Sequence, residues 1–260
     1  MYLSPDMHDI KKFMPVFIWW LSTATVVVLL KHHYSVATAE QLDWVLRPLA
    51  QLLEWLTGYA FKQDMNKEWL SEDANVRLVK SCAGINFMIM SLLAYAWVLQ
   101  PELHRENRNA IEIKTACDYL LLFTAILIIA WATGLLANSL RIIIAMHFQG
   151  NALLHEFTNL PETDIHRIIG ICVYAPLISI QMLAGDTRSR KKALMAPCLL
   201  YALTALFIPV ITGNAFANLP LFTHHALQLC STLFILFIIT RTGIATKTKL
   251  EKIFNSDQPA

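Results

Sequence analysis

Cys82, Arg141 and His166 are the side chains in this sequence whose types, taken together, suit acyl transfer. Cys82 stands in Val79-Lys80-Ser81-Cys82-Ala83-Gly84-Ile85-Asn86-Phe87, where a polar segment gives way to an apolar run of bilayer-spanning length. A cysteine in the first turn of a helix faces unpaired backbone N–H groups and the positive end of the macrodipole, and both favour the thiolate. Lys80, two residues back, adds positive potential. Attack on a peptide carbonyl also needs a proton acceptor that later protonates the leaving amine, and donors or positive charge for the developing oxyanion. An imidazole passes a proton either way near neutrality, which suits His166 to the first task. The Arg141 guanidinium keeps its charge in a partly dry site and presents a fixed fork of donors, which suits it to the second. Asn138 lies three residues before Arg141, on the same helical face, where it can orient the guanidinium or donate to the oxyanion.

Each residue also has a plainer reading. Cys82, Cys117, Cys172, Cys198 and Cys230 are an odd number with no CxxC pair, which argues against a zinc knuckle or a disulfide framework. Cysteines inside apolar spans serve as small packing residues. An arginine near a helix end commonly snorkels to phosphate headgroups. His147 and His155 compete with His166 for the base, but His166 begins a rigid apolar span while the other two fall on a less regular segment. A metal site drawn from His147, His155, Glu156 and His166, or from His224 and His225, lacks the HExxH or a comparable spacing, so no metal or other cofactor is expected.

The elements that must position these groups read as membrane helices. Of the 260 residues, 56% are hydrophobic and 15% charged, against about a quarter charged in soluble domains. The apolar excess falls in blocks long enough to cross a bilayer, where helices satisfy the backbone internally. The expected fold class is all-α: a polytopic membrane helical bundle of six or more transmembrane helices plus an amphipathic interfacial helix, in a single domain over residues 1–260. Spans are expected at 13–30, 83–99, 115–137 with helix continuing through 144, 166–184, 193–211 and 221–240. The first is read as uncleaved, because it is long for a signal segment and Lys31-His32-His33 separates it from Ala37-Thr38-Ala39. Between them, Leu42, Val45, Leu46, Leu49, Leu52, Leu53 and Leu56 recur at helical spacing. They predict the amphipathic helix within 36–58, inserted or lying flat, with Trp44 and Trp55 at headgroup level and Gly58 at its end. Residues 61–80 are polar and compatible with a short hairpin.

Lysine and arginine bias then sets orientation. Alternation through the spans puts Lys11 and Lys12, then Arg105, Arg108 and Lys114, then residues 188–192, then Arg241, Lys247, Lys249 and Lys252 on the cytoplasmic side. Cys82, Arg141 and His166 thereby all reach the outer ends of their spans. No nucleic-acid partner is expected, since the basic residues flank apolar blocks instead of forming a stripe with exposed aromatics.

Ser81-Cys82-Ala83-Gly84-Ile85-Asn86-Phe87, Asn138-Ser139-Leu140-Arg141-Ile142 and His166-Arg167-Ile168-Ile169-Gly170 resemble, in that order, the cysteine, Asn-x-x-Arg and His-x-x-x-Gly motifs of the exosortase/archaeosortase family of multi-pass membrane transpeptidases. The resemblance runs over a core of about residues 40–185, including a 48–58 stretch similar to the segment before the family's cysteine. Residues 186–260 would add two further transmembrane helices and a cytoplasmic tail. The resemblance implies a sorting enzyme of the bacterial inner membrane with its active site on the periplasmic face. Its partners would be exported proteins carrying a C-terminal signal made of a short motif such as Pro-Glu-Pro, a transmembrane helix and a basic cluster, with membrane lipid around them. By resemblance, Cys82 is the nucleophile, His166 the proton-transfer group and Arg141 the stabiliser of the tetrahedral intermediate. Cleavage would leave an acyl-thioester on Cys82 for an amine acceptor or water. The short tail is similar to forms without an appended periplasmic domain, such as the exosortase K subtype.

A signal helix packed beside the spans would confine diffusion to two dimensions and hold the scissile bond at the depth of Cys82. Asn86, Asn138 and Ser139 are the residues expected to line that groove. The competing expectation is a non-enzymatic transporter or lipid-binding membrane protein in which Arg141 and His166 contact a headgroup or an ion. Polar residues at mid-bilayer depth or an inverted repeat would mark a transporter, and neither is obvious in the sequence. An intramembrane metalloprotease is the weaker rival.

Overall fold

The computed structural model describes residues 7–100, 115–148 and 162–183, with scattered positions between 206 and 238. Five helices span the described residues up to 183: α1 (Met7–Val36), α2 (Asp43–Thr57), α3 (Ile85–Val98), α4 (Ala116–Phe148) and α5 (Glu162–Leu183). Among the described residues, four segments are long and apolar enough to cross a membrane: Met14–Val36, Lys80–Val98, Ala116–Phe148 and Ile165–Met182. The expected span at 193–211 and the expected loop at 149–164 lie largely outside the described residues, whereas the described positions within the expected span at 221–240 are helical.

α3 is the hub. Its sequence is apolar on every side, the pattern of a helix buried all round, and it packs against α1, α4 and α5. Ile85, Phe87, Ile89 and Leu92 are buried among them. Within a bilayer such contacts are held by close packing and hydrogen bonds, because lipid tails are as apolar as the side chains they replace. At one end of the bundle aromatic groups fasten α1, α3 and α4 together. Trp19 Nε1 donates to the Ala96 carbonyl at 2.9 Å, one of the last carbonyls of α3 that has no partner within the helix. The Trp19 ring meets Tyr119 edge-on at 5.5 Å.

Several expectations shift in the structure. α1 does not stop at Leu30 but runs through Lys31-His32-His33 to Val36. The lysine is accommodated because its ammonium reaches Asn86 Oδ1 at 2.9 Å. α4 begins at a reciprocal cap in which the Asp118 N–H donates to Thr115 Oγ1 and the Thr115 N–H to Asp118 Oδ2. From there it runs unbroken to Phe148. α5 starts at Glu162, so His166 lies in its second turn and not at its beginning.

The amphipathic helix is shorter than 36–58 and rests on the bundle. α2 turns Val45, Leu46, Leu49, Ala50 and Leu53 inward and packs on α4, while Trp55 is 79% exposed. Gly58, with φ +78°, ends it by donating its N–H to the Glu54 carbonyl.

The chain is not all helical. Where a short hairpin is compatible with residues 61–80, there is a three-stranded antiparallel sheet, β1 (Lys62–Gln63), β2 (Trp69–Ser71) and β3 (Val76–Leu78), in that spatial order. Strands of two and three residues are too short for alternation to register. Trp69 Nε1 ties the sheet to α2 through Asp43 Oδ1 at 3.0 Å.

Candidate functional site

The strand β3 leads straight into the loop that carries Cys82. Val79 is extended, residues Lys80–Ala83 form a single 3-10 turn, and Gly84 adopts φ +68°, ψ +14° before α3 opens at Ile85. Cys82 therefore precedes the helix N-cap by two residues and does not occupy the first turn of α3. The left-handed Gly84 separates the two: its carbonyl accepts from the Phe87 and Met88 N–H groups, at 3.0 and 3.1 Å, and starts the helix, while the Cys82 N–H bonds back to the Val79 carbonyl at 2.8 Å. Lys80 is also employed differently from the expectation. Its ammonium bonds the Ser35 carbonyl at 3.0 Å, closing the C-terminal end of α1, and lies 5.4 Å from the centre of the Tyr34 ring.

Asn138 on α4 reaches across to this loop and donates its side-chain amide to the Cys82 carbonyl. Its other side-chain atom, Oδ1, accepts from the Tyr174 hydroxyl of α5 at 3.0 Å, and Tyr174 in turn accepts from Arg141 at 3.3 Å. The chain of bonds thus runs Arg141, Tyr174, Asn138, Cys82 backbone. Asn138 is fully buried and Tyr174 is 7% exposed, with its ring 4.6 Å from that of Phe87. A buried network of this kind specifies one arrangement only while every member is satisfied.

α5 supplies a stripe of residues spaced by four, His166, Gly170 and Tyr174, which share one helical face. Tyr174 bonds Arg141, and a Cβ added at Gly170 would sit 3.7 Å from Arg141 Cδ. The stripe therefore faces Arg141, with half-buried His166 one turn from Gly170 toward the N-terminal end of α5. Tyr34, at the end of α1, lies within electrostatic range of Cys82, Arg141 and Tyr174.

All three motif segments meet at one end of the bundle, opposite the aromatic cluster. What the network grips is the backbone of Cys82. Among the described residues, the thiol's contact in hydrogen-bond range is the Arg77 carbonyl at 4.0 Å, and not Arg141 or His166. Catalytic contacts are commonly longer without substrate than with it. Of the three residues expected to line a groove, Asn86 is exposed. Asn138 and Ser139 are buried, and Ser139 Oγ bonds the Leu135 carbonyl of its own helix, so neither side chain faces an open groove.

Tyr174 and Tyr34 carry no motif signal and were not expected at the site. A tyrosine at helical spacing from His166 was nonetheless a cue, since a buried phenol needs a partner. Tyr174→Phe keeps the ring and removes the hydroxyl that donates to Asn138 Oδ1 and accepts from Arg141. It is expected to destabilise the fold by about 1–3 kcal/mol, read as lowered thermal stability in detergent, and to speed modification of Cys82 by a small thiol reagent. Unchanged stability and unchanged labelling would show that the bond chain does not hold the loop.

Compared with protein-family models, curated proteins and solved structures, the chain matches none.

Proposed function

We propose that this chain is a membrane-embedded cysteine transpeptidase or protease, similar to the exosortase/archaeosortase family, that cleaves C-terminal sorting signals from exported proteins at the outer face of the bacterial inner membrane. What supports the reading is that three motifs far apart in sequence converge at one end of the bundle, with Asn138 holding the Cys82 carbonyl and Tyr174 joining Asn138 to Arg141. In this reading Cys82 attacks the scissile carbonyl and Arg141 stabilises the charge that develops on its oxygen. His166 takes the thiol proton and returns it to the leaving amine, so that a thioester forms as the peptide bond breaks. An amine or water then releases the product and restores the thiol.

A thioester has a chemical signature. Hydroxylamine added to membranes processing a signal-bearing exported protein is expected to attack the thioester carbonyl, freeing the Cys82 thiol and converting the new C-terminus into a hydroxamate detectable by mass. Undiminished processing with no hydroxamate at saturating hydroxylamine would rule out the acyl-enzyme.

A further inference from the structure

Among the described residues no strand pairs with β3 on the side away from β2, and the hydrogen-bond parity of the strands fixes what that edge presents. The Asp64 N–H bonds the Glu68 carbonyl at 2.9 Å, which makes that pair a hydrogen-bonded one. Opposed residues alternate along an antiparallel ladder. The next pair, Gln63 with Trp69, is therefore not bonded, and Lys62 with Leu70 is. Both backbone groups of Leu70 accordingly point to β1, and its partner on the other side, Arg77, receives neither. The Arg77 N–H and C=O must point outward from β3. The contact between that carbonyl and Cys82 Sγ, at 4.0 Å, agrees independently with this parity.

An exposed strand edge is a template for pairing, and proteins usually blunt one with charge or cover. At Arg77 the charged side chain is directed onto the sheet's own acids, to Glu68 at 3.4 Å and Asp64 at 3.9 Å. The residue remains exposed, with one outward backbone donor and one outward backbone acceptor, the latter now held by the long 4.0 Å contact from the Cys82 thiol, which an incoming N–H would replace.

We infer that β3 is the docking edge for the polypeptide substrate: an extended segment adds as a fourth strand, exchanges both backbone hydrogen bonds with Arg77, and is thereby laid alongside Cys82. Recognition of this kind takes its affinity from main-chain bonds that any extended peptide offers and leaves selectivity to side-chain contacts. It also explains why a three-stranded sheet stands at this end of a helical bundle. The inference rests on the peptide-cleaving reading, but its test is separable from that activity.

Two measurements on the full chain decide it. The first compares Arg77→Pro with Arg77→Ala in processing of a co-expressed signal-bearing protein. Proline removes an outward N–H and breaks no bond within the sheet, as edge strands tolerate, whereas alanine removes only the guanidinium. Processing is expected to fall at least about tenfold in Arg77→Pro relative to Arg77→Ala, with equal labelling of Cys82 by a small thiol reagent. Equal processing by the two variants overturns the inference.

The second measurement needs no catalysis. In a variant whose other four cysteines are serine, a hexapeptide of β-favouring sequence bearing a thionitrobenzoate mixed disulfide is exchanged onto Cys82. The thiolate displaces thionitrobenzoate, so one disulfide replaces another without an added oxidant. Hydrogen exchange at the Arg77 amide is expected to be at least about tenfold slower in this adduct than in a cysteamine adduct. Equal exchange overturns strand addition, and so does an amide already protected in the cysteamine adduct, which would mean that a second copy of the chain occupies the edge. Should Cys82→Ala retain processing, the transpeptidase reading fails while the exchange measurement still decides the strand inference.

Discussion

Cys82→Ala is expected to abolish release of a signal-bearing exported protein, by roughly four orders of magnitude or more, the scale on which loss of a nucleophile acts in acyl transfer. Neither Cys117 nor Cys172 is placed to substitute. Cys117 is in the first turn of α4, 21 residues before Asn138 and so about 30 Å away along the helix axis at 1.5 Å per residue. Cys172 is on α5 two residues from both Gly170 and Tyr174, which turns it to the opposite face, and it is exposed there. Arg141→Lys keeps a positive charge but loses the planar fork that bonds Tyr174. It is expected to slow release about 10²- to 10³-fold, as removal of an oxyanion donor does. Both variants should be compared with wild type at matched membrane levels, following the mass shift that cleavage produces. Retained cleavage in Cys82→Ala would remove the thiol from the mechanism, and with it the proposed function.

The parts of this site that could be read from the chain are those encoded locally. The spacing of Asn138 and Arg141 puts both on one face of α4, and both bond the same tyrosine hydroxyl. Gly58 ends a helix where an apolar stripe stops, and the apolar runs mark α3, α4 and α5 to within a few residues. The unread parts depend on groups distant in sequence. Whether Lys31 breaks a helix depends on Asn86, 55 residues away, being there to accept from it. Whether Lys80 faces the thiol or the end of α1 depends on how Ser35 presents its carbonyl. Tyr174 resembles a packing residue until Asn138 is known to lie opposite it.

The three-stranded sheet was missed for a different reason. Its strands are held by turn chemistry more than by pattern. Lys67 and Asn75, with φ of +62° and +51°, are at turns, and Asp64 Oδ1 accepts from the Asn66 and Glu68 N–H groups. Aspartate and asparagine favour such turns because their side chains bond the nearby backbone. Those residues were legible as polar, but nothing in the pattern showed that a third short strand would pair with the hairpin.

Gly84→Ala should be the most damaging substitution that touches no reacting group. Two independent costs meet at this position. An L-residue at φ +68° is disfavoured by about 1–2 kcal/mol, and the new Cβ would lie 2.9 Å from Asn138 Cγ and 3.0 Å from its Cβ and Nδ2. Asn138 cannot easily retreat, because one end of its amide is bonded to the Cys82 carbonyl and the other to Tyr174. Overpacking a site without slack adds about 1–3 kcal/mol, so the total destabilisation expected is about 2–5 kcal/mol. Gly58→Ala is the internal control: its φ is +78° but nothing lies within 4 Å of an added Cβ, so it should show the conformational cost alone. The difference between the two variants in thermal or denaturant unfolding isolates the contact with Asn138. Combining Gly84→Ala with Asn138→Ala removes Cγ and Nδ2 but leaves the asparagine Cβ position filled, so stability should recover only in part. Cleavage should not recover, since the Cys82 carbonyl then has no amide to hold it. Equal losses in Gly58→Ala and Gly84→Ala would mean that Asn138 gives way freely and that the loop carrying Cys82 is not fixed by α4.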